Sequence, residues 1–191
     1  MIAIDRMTPG SPPAGFTFAR TGKGPEGQWT VVEDPTASMG RAIEQSNTDR
    51  TDYRFPLAIH DSLSAANLDV ELRFKAVGGK VDQAGGIALR LADADNYYVV
   101  RANAMENNFR LYAYERGRHQ LATARVQPPA LEQWHSLRVV AVGEHIQASL
   151  NGVLLLEHRD SRYRAGQVGL WTKADSITAF DDLVIHGVPG T

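Results

Sequence analysis

There is no cysteine in this chain, so disulfides and thiolate metal sites are excluded. No apolar run approaches the ~20 residues a bilayer-spanning helix needs. Charge of one sign is also lacking. The 20 basic and 22 acidic residues are well mixed and leave a formal net charge of −2. A basic run that would grip nucleic acid is absent, and so is an acidic tail. The first ten residues, MIAIDRMTPG, lack a basic-then-apolar export pattern. Two readings of location follow: a cytoplasmic protein, or a mature form whose leader has been removed. No long stretch carries a helical period, and no Gly-rich phosphate loop, nucleophile elbow or amphipathic helix is present.

What is present is strand after strand. Short alternating segments are expected at 27–33, 41–46, 52–59, 67–77, 86–92, 97–104, 109–116, 119–127, 134–142, 145–150, 153–158, 166–174 and 180–187. Gly-Gly at 78–79 and 85–86, Arg-Gly at 116–117, Pro-Pro at 128–129 and Asn-Gly at 151–152 separate them. Many short strands with turns between them indicate a sandwich or barrel. The SPPAG segment at 11–15 reads as a surface entry loop. Asn151-Gly152 supplies the positive-φ pair of a type I′ hairpin. With 191 residues, no internal repeat and no linker, residues 1–191 read as one all-β domain.

Residues 89–114, LRLADADNYYVVRANAMENNFRLYAY, raise a specific question, because each strand-like piece carries an arginine. Pair Ala92 with Tyr97 across one turn and Ala104 with Phe109 across the next. Ile87, Leu89, Leu91, Tyr98, Val100, Ala102, Ala104, Phe109, Leu111 and Ala113 then share one face. Arg90, Tyr97, Val99, Arg101, Asn103, Arg110, Tyr112 and Tyr114 share the other. A one-residue slip would drive an arginine into the apolar set. The expected sheet therefore has a core face and a polar-aromatic face. Similarly, Leu68, Val70, Leu72 and Phe74 oppose Asp69, Glu71, Arg73 and Lys75, and Glu71 is a candidate neighbour of Arg90.

The ordered pieces GGIALRLADADNYYVVRANAMENNFRLYAYERG, WHSLRVVAVGEHIQASLNG and GQVGLWTKADSITAFDDLVI resemble the concanavalin A-like lectin/glucanase superfamily. Within it the similarity is to laminin-G-like and 3-keto-disaccharide-hydrolase-type domains, over about residues 67–187. The resemblance implies a jelly-roll sandwich of two antiparallel sheets, with a saccharide on the concave one. It also implies a secreted or periplasmic location.

The chemistry fits a sugar in part. Arg90, Arg101, Arg110 and Asn103 are candidate partners for hydroxyls, and Tyr97, Tyr112 and Trp171 are candidate stacking surfaces. The plainer alternative is a solvated face. Hydrolysis by two carboxyls needs them about 5 Å or roughly 6.5–9.5 Å apart. The superfamily's Glu-x-Asp-x-x-Glu motif is missing. Asp69 and Glu71 stand two apart on one strand, roughly 7 Å between Cα atoms, but nearby Arg73 and Lys75 suit ion pairing better than acid catalysis. Glu106 is a second isolated carboxylate. On a 3-keto sugar a single base suffices, so Glu71 and Glu106 are the catalytic candidates, with a histidine as the other option for the base and Arg90 and Arg101 stabilising an enolate.

The six histidines are scattered, and no metal or cofactor site is assigned. Asp93, Asp95 and Asn96 offer oxygen ligands for calcium, but tight turns favour the same residues. Of the tryptophans, Trp134 is expected in the core and Trp171 is placed by parity on the concave side. Phe180, Leu183 and Ile185 read as core, with Asp181–Asp182 a surface bend. Three functions remain open: a saccharide-active glycoside-hydrolase-like domain, a non-catalytic carbohydrate-binding module, and a laminin-G-like interaction domain.

Overall fold

Alternating apolar residues dictate strands, and the computed structural model builds fourteen of them among the residues it describes, 1–61 and 64–189. They are β1 (Phe16–Gly22), β2 (Trp29–Glu33), β3 (Arg41–Gln45), β4 (Arg54–His60), β5 (Leu68–Gly78), β6 (Ala84–Asp93) and β7 (Asn96–Asn103). There follow β8 (Asn108–Tyr114), β9 (Arg118–Arg125), β10 (His135–Val142), β11 (His145–Leu150), β12 (Val153–Arg159), β13 (Gln167–Trp171) and β14 (Ile177–Gly187). A short 3-10 turn at Ile4–Arg6 precedes them. No helix among the described residues is long and apolar enough to cross a membrane.

Two seven-stranded antiparallel sheets form a jelly-roll sandwich. One has the order β1-β4-β13-β6-β7-β8-β9 and the other β12-β11-β10-β5-β14-β3-β2. Between them lies the main core, which includes Leu68, Val70, Leu72, Phe74, Ile87, Leu89, Tyr98, Val100, Phe109, Leu111, Phe180 and Leu183. The thirteen expected strands are all present within a few residues. Strand β1 was not expected; its short FTFARTG alternation sits at a sheet edge, with β4 as its neighbour. The β11–β12 hairpin turns through Asn151 (φ 49°) and Gly152 (φ 78°), as its dipeptide requires.

The expected register holds at the β6–β7 turn, where Asp93 pairs with Asn96, but shifts by two beyond a bulge, and the β7–β8 register differs from expectation by two. Leu89 pairs with Tyr98, and Arg101 pairs with Arg110. A two-residue slip leaves every side chain on its face, because the strand period is two. Hence the parity assignment survives for β7 and β8. It fails at the end of β6. Three residues, Arg90, Leu91 and Ala92, bulge between the Leu89–Tyr98 and Asp93–Asn96 pairs, and Arg90 takes φ 51°. Leu91 moves off the main core, and Arg90 leaves the polar-aromatic face altogether.

Arg90 becomes a buried clasp. Its Nε and Nη2 donate to the Ala66 carbonyl (3.0 and 2.7 Å), Nη1 to that of Tyr163 (3.0 Å) and Nη2 also to that of Gly143 (2.7 Å). Three loops from both sheets are thus tied to one guanidinium. Gly166 passes so close that a Cβ there would lie 2.4 Å from the Arg90 carbonyl carbon.

Elsewhere the structure corrects two expectations. Trp134 is half-buried on the outer face of the second sheet, not in the core. Arg73 and Lys75 each lie 5.0 Å from its ring, and its indole N–H donates to Thr36. The Asp181–Asp182 bend is a bulge in β14, but Asp181 is buried and accepts from Arg73 (2.8 Å) and the Ser38 N–H (2.7 Å).

Replacing Arg90 by alanine would strand three carbonyls that now share one cation. Stability should fall by roughly 3 kcal/mol, read as a lower midpoint in denaturant unfolding. Arg90→Ala with wild-type stability would remove the clasp from the account.

Candidate functional site

The first sheet is concave on the side away from its partner, and its side chains show why. Phe55 on β4 and Tyr114 on β8 are four strands apart in sheet order, about 19 Å in a flat sheet, yet their ring centroids lie 5.3 Å apart. Thr21 on β1 and Tyr97 on β7 are likewise four strands apart, and their hydroxyls hydrogen bond at 2.7 Å. Only strong curling brings these groups together. Around them Trp171 stacks on Phe55 (5.4 Å) and Tyr97 on its cross-strand neighbour Tyr114 (4.6 Å). Leu57, Val99, Leu91 and Tyr112 complete a second apolar cluster.

Consequently none of the three expected stacking surfaces is open: Tyr112 is buried, with Arg118 4.8 Å over its ring. Tyr97 and Trp171 are both fully buried, and their rings pack on protein neighbours. Trp171 does lie on the concave side. Burial pushes the Tyr97 and Tyr114 phenols up, so both stay neutral.

Beyond the aromatic cluster the same face turns polar. Arg101, Asn103, Arg110 and Tyr112 converge here with Glu106, which the four-residue connection from β7 to β8 carries. Arg101 Nη2 donates to Glu106 Oε2 (2.8 Å) and lies 3.4 Å from the Tyr112 hydroxyl; Arg110 Nη1 donates to that hydroxyl (3.1 Å). Asn103 Nδ2 donates to Asp82 (2.8 Å) and to Glu106 Oε1 (3.3 Å), and Asn108 Nδ2 to Glu106 Oε2 (3.0 Å). Lys173 pairs with Asp82 at 3.0 Å, and Arg118 lies over the Tyr112 ring at 4.8 Å.

Two atoms in this network are unused. Arg101 is buried, and its Nη1 has no hydrogen-bond partner. A buried charged donor left so is costly, by about 1–3 kcal/mol or more. The Asn108 side-chain oxygen is a buried acceptor in the same condition. By contrast, Glu106 and Arg110 keep about 30% of their side-chain surface exposed (30% and 31%), so the network opens outward through them.

Glu106 is ionised here. Burial works against its charge, but Arg101, the hydrogen bonds from Asn108 and Arg101, and Lys173 outweigh that and hold its carboxyl below the usual range. Tyr112 behaves in parallel: burial opposes ionisation, but Arg101, Arg110 and Arg118 pull its phenol below the ordinary value.

Two sequence candidates stand apart. Glu71 is exposed on the second sheet, in register with Arg138 and Val184, so it cannot act with Arg101. Strands β5 and β6 follow each other in the chain but belong to different sheets. Asp69 beside it is held by Arg138 at 2.6 and 2.8 Å, the ion pair expected of that strand. Arg90 is the clasp described above. In the Asp93–Asn96 turn, Asp93 accepts from the Asp95 N–H (2.8 Å) and the Asn96 amide (2.9 Å), which is turn chemistry. Among the described residues no group of three or more candidate metal ligands occurs.

Asp82, Asn108, Arg118 and Arg125 belong to this face but were not singled out. Parity signals Asn108 and Arg125, which pair across β8 and β9; Arg118 reaches the same face only through a register shift, and Asp82 precedes β6 with no such signal. Asn108, Arg110, Thr123 and Arg125 border a shallow hollow of ≈ 300 Å³. A cleft of ≈ 650 Å³ lies elsewhere, between Tyr53, Asp95, Asn96, Tyr114 and Arg116.

No protein-family model matches the chain. No curated protein matches it either. Solved structures do. Carbohydrate binding module CBM66 from Bacillus subtilis is 21% identical with TM-score 0.70, over 91% of this chain and 96% of that one. A protein of unknown function with a galectin-like fold from Bacillus subtilis is 12% identical with TM-score 0.63, over 91% and 90%. Domain 4 of an extracellular GH43 arabinanase from Geobacillus stearothermophilus, in complex with arabinotriose, is 14% identical with TM-score 0.57, over 91% and 84%. At these identities the shared property is the fold, a jelly-roll sandwich of the kind found in carbohydrate-binding and lectin-like proteins.

The depressed Glu106 pKa has a consequence for acid stability. A carboxyl whose folded pKa lies below its unfolded value near 4.5 contributes stability above that pH and loses it as pH falls through the folded pKa. Glu106→Gln should therefore lower the melting temperature at neutral pH and converge with wild type in acid. Parallel curves down to the acid limb would show that the carboxylate is not held as described.

Proposed function

We propose that this protein is a carbohydrate-binding domain, acting outside the cytoplasm, whose site is the polar half of the concave sheet. The observation that carries the reading is the unused Arg101 Nη1 beneath the part-exposed Glu106 and Arg110. A buried donor of this kind is satisfied when a ligand or water supplies an acceptor. Guanidinium, carboxylate and amide groups converge within a few ångströms, which is the mixed donor–acceptor set that sugar hydroxyls require. The likeness of fold to a carbohydrate binding module over nine-tenths of the chain supports the same class.

Hydrolysis is less well supported. A general acid needs a raised pKa, and Glu106 has the opposite. Asp82, the other carboxylate at hand, is buried and paired with Lys173. Proton abstraction beside a ketone is the second reading. It is favoured by one observation, the ionised Glu106 lying 2.8 Å from the Arg101 guanidinium, where an enolate could share the cation.

Glycan-array screening followed by calorimetry on the best ligand tests this. Arg110→Ala should weaken binding about tenfold or more, with a melting temperature close to wild type because Arg110 is partly exposed. Binding without turnover supports the module. Turnover of a 3-keto-glycoside that is lost in Glu106→Gln supports the second reading. If no saccharide binds, or Arg110→Ala binds as well as wild type, the assignment fails.

A further inference from the structure

We propose that the saccharide taken by this face is an anionic one, bearing carboxylate or sulfate groups that Arg101, Arg110, Arg118 and Arg125 receive. The inference rests on the carbohydrate reading above and narrows it to one class.

The argument starts from charge distribution. The whole chain carries a formal net charge of −2. Five of its 20 basic residues nevertheless meet on the polar half of the concave sheet. Arg101 and Arg110 lie opposite each other on β7 and β8. Arg118 and Arg125 lie on β9, which pairs with β8, and Lys173 follows β13. Against these five stand two carboxylates, each already engaged: Glu106 with Arg101, and Asp82 with Lys173. The nearest approach of Arg110 to an acid is 4.0 Å, and Arg118 and Arg125 form no ion pair among the described residues.

Like charges crowded together raise the free energy of the folded state, and the strain is relieved when a counter-charge arrives. The Tyr112 phenol reports the field directly. It accepts from Arg110 (3.1 Å) and lies under Arg118 (4.8 Å), and Arg101 is 5.8 Å from its ring. Burial opposes its ionisation, yet these cations pull the phenol below its ordinary value.

The residue type points the same way. Neutral hydroxyls are served equally well by Asn, Gln or Ser. Arginine's planar fork matches a carboxylate or sulfate with two parallel hydrogen bonds. Arg110 and Arg125 both border the shallow hollow, with Asn108 and Thr123 between them as hydroxyl partners. Diagonal neighbours on adjacent strands are roughly 7 Å apart. Two such cations would therefore meet separate oxygens of one charged ring, or charges on consecutive rings.

The test uses the full chain and three oligosaccharides of equal length: a uronate oligomer, its carboxyl-reduced neutral counterpart, and a sulfated oligomer. At least one anionic oligomer should bind about tenfold or more tightly than the neutral one, and more weakly at about 0.5 M than at about 0.05 M salt. Arg125 is exposed, so Arg125→Gln should fold normally and lose a several-fold share of the anionic affinity only. Ultraviolet titration of Tyr112, identified by its loss in Tyr112→Phe, should move to higher pH when the anion is bound.

If the neutral oligomer binds as tightly as the charged ones, the anionic inference falls and the carbohydrate reading stands. Should none of the three bind and the array also stay blank, the carbohydrate reading itself falls. Anionic binding unaffected by both Arg125→Gln and Arg110→Gln would place the ligand elsewhere and overturn the proposal. So would equal binding of polyglutamate, which would reveal a cationic patch with no preference for sugar.

Discussion

The curl of the first sheet is the constraint on which the rest depends. Contacts that span four strands cannot form unless the sheet bends strongly. The Phe55–Tyr114 edge contact and the Thr21–Tyr97 hydrogen bond both require it. Trp171 stacked on Phe55 and Tyr97 stacked on Tyr114 fill the space the bend creates. Each such ring buries a large apolar area, and paired rings add about 0.5–1.5 kcal/mol beyond that. The described residues consequently include two large apolar clusters, one between the sheets and one cupped within a single sheet, besides a small one around Ala42 and Ala179. Filling one half of the concavity with aromatics confines the polar groups to the other half.

In that polar half, burial and charge oppose each other and charge prevails. Burial alone would push both the Glu106 carboxyl and the Tyr112 phenol up. The surrounding guanidinium groups reverse both tendencies. The arrangement leaves Arg101 with one buried nitrogen unpaired. A structure that existed only to fold would gain by pairing it or replacing it. Arg54 shows the contrast. It is fully buried, and its nitrogens reach the carbonyls of Pro25, Glu26, Asp49 and Ala174. Arg90 is satisfied in the same way. Three buried arginines therefore have two different destinies: Arg54 and Arg90 hold loops, and Arg101 remains partly uncommitted.

Much of the architecture was legible because strand periodicity is local. Alternation in residues 97–103 and 108–114 placed Tyr98, Val100, Phe109 and Leu111 in the core and Arg101, Arg110 and Tyr112 opposite. That placement tolerated a two-residue shift at the β6 bulge and a two-residue error in the β7–β8 turn, since an even slip preserves faces. Arg90 was misplaced because a bulge is not periodic, and nothing in ALRLADAD marks the left-handed residue. Glu71 was misplaced because chain neighbours need not be sheet neighbours in a jelly roll. Tyr97 and Trp171 were put on the right face but given the wrong exposure. Parity says which way a side chain points and not what it meets there.

The chain by itself determined thirteen of the fourteen strands, the alternation of faces, the Asn-Gly hairpin and the excess of arginine over lysine in the central strands. Each of these depends on residues within a few positions of one another. Tertiary structure decided which carboxylate joins the arginines, which arginine is spent on loops, and which aromatics are sealed from solvent. Those outcomes are set by strand order and sheet curvature, and both bring together groups far apart in sequence, such as Asp82 with Lys173 and Thr21 with Tyr97. Contacts at such separations are selected by the packing of the whole sheet, which no local pattern encodes.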